Sequence, residues 1–164
     1  MARNSSARLT NSHPRAPQDA PGLSYGPLAE WVGFHLRMAQ VASFQAFARA
    51  AHAVDLSPGR FAVLVLIGEN PGISQTELSR ANGSDKSTLT PVLEDLVRRG
   101  LVDRARTPRD RRTYRLALTP AGEAMRHDLT ACARRHEQAL DRVIGPRERA
   151  KFLRILRKIA AELQ

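Results

Sequence analysis

The chain has few of the features that mark secreted, membrane or disulfide-stabilised proteins. Its 164 residues include one cysteine, Cys132, so a disulfide framework within the chain is excluded, which fits a reducing compartment. No apolar run approaches the ~18 residues that a membrane-spanning helix needs. Residues 1–26 lack the apolar segment of a secretory signal. We therefore expect a cytoplasmic protein with enough chain for a real core.

Recognisable catalytic and metal-binding motifs are also missing. The five histidines are scattered, and none has a carboxylate or cysteine partner at metal-ligand spacing. The sequence contains no nucleophile-elbow motif and no glycine-rich phosphate loop. It therefore predicts no enzyme, no catalytic residue, no metal site and no cofactor.

Negative charge is scarce, and the resulting net charge of +10 is unevenly distributed. The blocks 1–26, 27–72, 73–119 and 120–164 carry net charges of +2, 0, +4 and +4. A neutral block followed by a basic one is typical of nucleic-acid binders. A proteome that is generally rich in arginine would explain part of the excess positive charge. We expect residues 1–26 to be a disordered basic arm, which either adds nonspecific affinity for nucleic acid or is a plain floppy terminus.

Residues 74–119 predict a helix, a turn, a second helix and two short strands. Ser74 and Glu77 have the spacing of a capping box, so the first helix starts at Ser74. Asn82 and Gly83 end it, because both residue types tolerate positive φ.

The second helix is predicted over residues 86–99, capped by Ser84 or Asp85. It carries an apolar stripe at helical spacing, formed by Leu89, Val92, Leu93 and Leu96. Pro91 removes one helical hydrogen bond. Two interpretations stay open: a bent helix whose first turn faces DNA, or a helix that starts near Thr90.

Strands are predicted over residues 101–106 and 113–118, joined by a loop that holds Arg109, Arg111 and Arg112. Thr119 and Pro120 have the residue types that open a further helix. A helix that fits the DNA major groove is thus followed by a cationic hairpin that can reach the adjoining minor groove.

Long helices are predicted at both ends of this region, over residues 28–52, 120–143 and 146–163, with a shorter one from Pro58 to Gly68. The first helix is apolar on more than one side, which indicates a subunit interface, a ligand pocket, or both. The last helix has an apolar stripe, and a terminal helix of this length is only marginally stable unless its stripe packs against another surface. We therefore expect a two-fold dimer that matches a pseudo-palindromic operator. Cys132 is either a small packed residue or a site of redox or interchain chemistry.

These residues resemble the MarR family of bacterial winged helix-turn-helix regulators. The resemblance rests on residues 87–90, 96–102, 110–112 and 116–122, above all the D-x-R of the hairpin followed by L-T-x-x-G. It covers about residues 28–163. It implies a mainly α fold with a small β wing, and a homodimer formed by the N- and C-terminal helices. It also implies repression that a small molecule relieves.

In the domain organisation that follows, a MarR-type domain over residues 27–164 succeeds the arm. Its winged helix-turn-helix occupies about residues 56–119, and its dimerisation helices are residues 28–52 and 120–163. The partners expected are double-stranded DNA, a second copy of the chain and a small-molecule effector, with no membrane.

The resemblance also assigns roles to individual residues. Ser87, Thr88 and Thr90 match the family's recognition-helix contacts, Arg112 matches the wing arginine that enters the minor groove, and Asp110 matches the carboxylate that orients the wing. The full set of predicted DNA contacts is Ser74, Gln75, Ser84, Lys86, Ser87, Thr88, Thr90, Arg109, Asp110, Arg111 and Arg112. Many members have a basic residue in place of Pro91. The sensing cysteine of the peroxide-responsive members is missing from the first helix.

Residues 33–40 and 44–47 look like members that respond to hydroxycinnamoyl-CoA or related aromatic acyl-CoA thioesters. In such a site the aromatic and sulfur side chains would surround an acyl group, Arg37 would meet a CoA phosphate, and His35 or Gln40 would meet a phenol or thioester oxygen. The predicted ligand contacts are Trp31, Phe34, His35, Arg37, Met38, Gln40 and Phe44. Another aromatic acid or phenol, or no ligand at all, remains an alternative, because aromatics at helical spacing are often core.

A second function competes with the ligand-responsive repressor. A nonspecific or architectural DNA-coating protein would also be basic, but it needs no apolar site on its first helix. Steep salt dependence without sequence preference would indicate it.

Overall fold

The structure is a computed structural model that describes residues 22–51, 56–107 and 110–163, with the side chains of residues 107 and 110–113 outside the description. The chain divides into two compact units, Met1–Ser43 and Phe44–Gln164. Six α-helices and a small antiparallel sheet make up the described residues, which confirms the predicted fold class of a winged helix-turn-helix.

The first unit contains a 3-10 helix, Gly26–Glu30, and the beginning of helix α1, Val32–Ala50, which runs on into the second unit. The helix predicted over residues 28–52 therefore begins four residues late, because Trp31 is extended (ψ 120°) and separates the two segments. Nε2 of His35 donates to the carbonyl of Ala29 at 2.7 Å and holds the 3-10 turn against α1.

Short-range caps set the starts of the two helices that precede and follow the predicted helix-turn-helix and wing. Ser57 caps α2 (Pro58–Glu69), and Thr119 caps α5 (Pro120–Ile144) by accepting from the amide of Gly122 at 3.0 Å. The last helix, α6 (Arg149–Glu162), starts three residues later than predicted, because the residues after Gly145 form a turn.

The two helices of the predicted helix-turn-helix have the expected order. The first, α3 (Gln75–Asn82), has the complete capping box of Ser74, and it ends at Gly83 in the left-handed region (φ 64°). The second, α4 (Lys86–Arg98), is capped by Asp85, which decides between the two predicted caps. Since α4 includes Pro91 in its interior, the alternative of a helix that starts near Thr90 is wrong.

The sheet has three antiparallel strands in the order β1-β3-β2. The hairpin strands are β2 (Val102–Thr107) and β3 (Asp110–Leu118), so β3 starts three residues earlier than predicted and the connecting loop is shorter. Strand β1 (Ile73–Ser74) was not predicted; it pairs with Leu116 and Arg115 of β3. The wing is the β2–β3 hairpin, and the reading head is α3, α4 and the wing together.

The core confirms the predicted stripe of α4. Leu89, Leu93 and Leu96 are at most 1% exposed, and Val92 packs against the same core. Buried residues of α2, β2, β3 and α5 complete it, including Leu64, Ile67, Val102, Leu116 and Leu129. By contrast, α6 has no buried residue. None of the helices in the described ranges is long and apolar enough to cross a membrane.

Candidate nucleic-acid interface

The first turn of α4 presents three exposed side chains, Lys86, Ser87 and Thr88. The Asp85 carboxylate accepts from the Ser87 hydroxyl and from the Thr88 amide, both at 2.7 Å. These hydrogen bonds, that of Ser87 foremost, lower the pKa of Asp85, so the cap is ionised at neutral pH. Because the proton of Ser87 is directed to Asp85, the Ser87 oxygen is left to accept, which suits the amino groups of adenine or cytosine better than a phosphate.

A short hydrogen-bond chain joins α3 to α4. Nε2 of Gln75 donates to Oγ1 of Thr90 at 2.8 Å, and Thr90 donates to the carbonyl of Lys86 at 2.7 Å. Gln75 and Thr90, predicted separately as DNA contacts, thus lie side by side. Thr90 is only partly exposed. The chain fixes the spacing of the two helices directly beneath the exposed turn.

Two predicted contacts, Ser74 and Ser84, have structural roles at the ends of α3. Ser74 is 7% exposed, and its hydroxyl donates to Glu77 at 2.7 Å while it accepts from the Glu77 amide. This hydroxyl is also the largest influence that lowers the pKa of Glu77. Ser84 accepts from Nδ2 of Asn82 at 3.0 Å and ties the turn after α3. Both serines thus shape the two ends of α3, and their contacts with DNA stay predictions.

The predicted wing contacts fall largely outside the described residues. The backbone of Asp110, Arg111 and Arg112 belongs to β3, whereas Arg109 and the side chains of all four lie outside the description. Their roles stay predictions. At the described end of the wing, Arg106 and Tyr114 lie directly opposite each other on β2 and β3.

A buried carboxylate stabilises the far end of α4. Asp95 is 6% exposed and pairs with Arg60 of α2 at 2.9 Å, with Arg99 at 3.0 Å and with Arg98. Burial acts to raise the pKa of Asp95, but the charges of Arg99, Arg60 and Arg98 outweigh it and hold the pKa below its ordinary value. The pair with Arg60 fastens the end of α4, the recognition helix, to α2.

The predicted effector residues are placed mainly in the first unit. The Phe34 ring contacts His35 edge-on at 5.7 Å between centroids and Tyr25 at 5.6 Å. Trp31 is 58% exposed, and Phe44, which falls in the second unit, is 44% exposed. Arg37 and Gln40 are exposed, and Met38 is half-buried. Whether these side chains line one pocket stays a prediction.

Comparison with known proteins identifies the architecture. The model of the MarR family matches residues 54–113. A Thauera aromatica protein assigned to transcriptional regulation of the hcr operon is 33% identical over 145 residues, which are 88% of this chain and 87% of that protein. The chain belongs to the MarR family.

Solved structures of MarR-type regulators agree with this fold. The transcriptional repressor CouR bound to a 23-mer DNA duplex is 37% identical, with a TM-score of 0.77 over 84% of this chain and 98% of that one. CouR bound to p-coumaroyl-CoA is 35% identical, with a TM-score of 0.78 over 85% of this chain and 99% of that one.

A shallow depression in the second unit of this MarR-family chain is lined by none of the predicted effector residues. It has a volume of about 490 Å³ and is lined by residues of α3, β3 and the turn before β1, among them Asn70, Gly72, Glu77 and Arg115. Arg115 donates to the carbonyl of Gly72 at 3.2 Å and lies 3.6 Å from the Glu77 carboxylate. These contacts join the sheet to α3, so the depression lies along a structural contact between two elements of the reading head.

Sequence reasoning missed the Asp95 cluster and the Arg106–Tyr114 pair. For Asp95 a partial signal was present, because Arg98 and Arg99 follow it at the spacings of helical ion pairs. The approach of Arg60 and the cross-strand register have no local signal.

Proposed function

We propose that this MarR-family chain is a ligand-responsive transcriptional repressor that binds a pseudo-palindromic operator as a homodimer. One observation carries the proposal. The exposed first turn of α4 and the wing belong to the same reading head. The chain is also 37% identical to DNA-bound CouR over nearly the whole length of that protein. A helix for the major groove beside a basic hairpin is the arrangement that direct readout requires.

The homodimer is supported by apolar surface that the single chain leaves uncovered. Phe152 and Ile155 of α6 are 39% and 45% exposed, and Leu163 just beyond it is 82% exposed. A second copy would cover this stripe through an isologous interface with the terminal helices. The resulting two-fold axis would set the two reading heads about one helical turn of DNA apart.

The proposed DNA contacts divide by chemistry. Lys86 meets phosphate, and Ser87 and Thr88 meet base edges at the start of α4. Arg112 would enter the minor groove, where a narrow groove attracts a guanidinium, and Asp110 would orient the wing. Arg109 and Arg111 would add phosphate contacts, and Gln75 and Thr90 would fix the spacing of the helices.

The proposed effector is an aromatic acyl-CoA thioester such as p-coumaroyl-CoA, or a related aromatic acid. The support is the complex of p-coumaroyl-CoA with CouR, together with the exposure of the Trp31 and Phe44 rings and of Arg37 in this chain. An arginine suits the phosphates of CoA, and the rings suit the acyl group. In this proposal the chain acts on DNA in the cytoplasm and carries out no catalysis. Residues 27–164 form the MarR-type domain, and residues 1–26 form a basic arm.

The test is fluorescence anisotropy of the full-length protein on its own upstream DNA and on a random duplex of equal length, with and without p-coumaroyl-CoA. Selective binding that the thioester abolishes is the expected result. Selective binding that the thioester does not change would keep the repressor and reject this effector. Equal binding to both duplexes would favour the nonspecific DNA-coating protein.

Arg37→Ala is expected to leave operator affinity unchanged and to raise the p-coumaroyl-CoA concentration needed for release by roughly tenfold, because one charge-assisted contact to a CoA phosphate is lost. Titrating the thioester into the protein–operator complex measures the shift. Arg49→Ala, another exposed arginine on α1, is the matched control. Equal release of both variants and wild type would remove Arg37 from the effector site.

A further inference from the structure

The wing carries an arginine that a tyrosine holds in one orientation. Nη2 of Arg106 donates to the hydroxyl of Tyr114 at 2.7 Å, and the guanidinium carbon lies 4.9 Å from the centre of the Tyr114 ring. The two residues are direct partners across β2 and β3. Stacking and a hydrogen bond together restrain a side chain that would otherwise sample many rotamers.

The position of this pair follows from the way side chains alternate between the two faces of a strand. Val102, Arg104 and Arg106 share one face of β2, because residues two apart point the same way. Their partners are Leu118, Leu116 and Tyr114. Leu116 is 1% exposed and Tyr114 is 39% exposed, so this face passes from core to solvent as the wing extends. Arg106 and Tyr114 are the first exposed pair on the face that packs against the helices of the reading head.

The charge of Arg106 is available to an anion. Within the described part of the chain, no carboxylate forms an ion pair with Arg106, whereas Arg60, Arg98, Arg99, Arg115 and Arg126 all have one. A guanidinium has five N–H donors, and the bond to Tyr114 uses one of them. The remaining donors match the two oxygens of a phosphate group.

We propose that Arg106 is a phosphate contact of the wing and that Tyr114 is its positioning residue, which preorients the guanidinium toward the DNA backbone. The inference rests on the proposed function and adds a site near the turn end of the wing, separate from Arg112. Phosphate contacts fix register without reading sequence. Arg106 therefore contributes equally on operator and random DNA.

The experiment measures DNA affinity of full-length variants against salt concentration, on the upstream duplex and on a random duplex. Arg106→Gln is expected to weaken binding by roughly fivefold to tenfold on both duplexes, and to reduce the slope of log K against log [salt] by about one per protomer. Arg142→Gln, an exposed arginine on α5, removes the same charge far along the chain from the wing and should leave the slope unchanged. Arg112→Ala supplies the comparison for a groove contact, with a larger loss on the operator than on random DNA.

Tyr114 is tested through its partner. Tyr114→Leu removes the stacking and the hydrogen bond and should weaken binding nearly as much as Arg106→Gln, while Tyr114→Phe keeps the ring and should fall between. In the Arg106→Gln background, neither Tyr114 variant should weaken binding further. Thermal melts establish that each variant is folded, and Tyr114→Phe, which keeps the packing, serves if Tyr114→Leu does not fold.

The outcomes separate the two proposals. If Arg106→Gln and Arg142→Gln have the same slope, or if Tyr114→Phe weakens binding further in the Arg106→Gln background, the assignment of this pair is overturned. If the wild type binds both duplexes equally, the proposed function fails, and the slope on random DNA still decides whether Arg106 contacts phosphate.

Discussion

Gly122→Ala is expected to lower the Tm by roughly 10 °C, because its added methyl group would clash with the backbone. A Cβ at this position would lie 2.0 Å from the carbonyl oxygen of Leu101, which also accepts from the amide of Thr119. The atoms that this Cβ would meet belong to the backbone of Leu101 and cannot rotate away. The start of α5 must therefore separate from the turn that follows α4. Such overpacking costs about 3 kcal/mol or more, which exceeds the ~1 kcal/mol that alanine gains over glycine in a helix.

The matched control for this prediction is Gly59→Ala. Gly59 is also in the first turn of a helix, α2, but a Cβ there meets no atom within 4 Å. Gly59→Ala should raise the Tm by a few degrees through backbone entropy alone. Calorimetric scans of the two variants measure the difference. Equal Tm values would mean that the junction of α4 and α5 yields more easily than its backbone contacts indicate.

The local caps of α3 and α5 were predictable from sequence because each involves partners within four residues. The capping box of Ser74 and Glu77, the left-handed Gly83 and the cap of Thr119 are all present. The apolar stripe of α4 was predictable for the same reason, since helical periodicity fixes which residues share a face. These features determine the order of elements and hence the fold class.

Features that depend on distant parts of the chain could not be predicted. Strand β1 has two residues and exists because β3 offers an edge to pair with. The Arg106–Tyr114 pair needs the register of the hairpin, and the link from Asp95 to Arg60 needs the packing of α4 on α2. The structural roles of Ser74 and Ser84 have the opposite origin, because they depend on near neighbours in the chain. Ser74 bonds to Glu77, and Ser84 accepts from the side chain of Asn82.

Asp95→Asn is the second variant with a large expected effect, a lowering of the Tm by roughly 10 °C near neutral pH. The asparagine keeps the shape of the side chain but removes the carboxylate charge with which Arg60 and Arg99 pair at a buried position. Removing one member of a buried ion pair is strongly destabilising, because the remaining charges lose the interaction that offset their desolvation. The end of α4 would also lose its link to α2, so operator affinity should fall with stability.

The pH dependence of this effect has a definite sign. The arginines hold the pKa of Asp95 in the folded protein below its value in the unfolded chain, so the ionised carboxylate favours folding. Its contribution is fully present above the unfolded pKa of about 3.9 and is lost as the pH falls through the lower folded pKa. The Tm difference between wild type and Asp95→Asn should therefore be constant near neutrality and shrink below about pH 4.

Glu94→Gln is the control for Asp95→Asn, because Glu94 is the exposed neighbour on the same helix and loses the same charge. It should change the Tm by no more than about 1–2 °C. Arg60→Met tests the link between helices, since Arg98 and Arg99 still neutralise Asp95 when Arg60 is replaced. It should destabilise less than Asp95→Asn and add little to it in the double variant, because residues of one ion-pair network are not independent. Full additivity of the two substitutions would show that Arg60 and Asp95 stabilise α2 and α4 separately, and that the recognition helix is held to α2 by its apolar stripe alone.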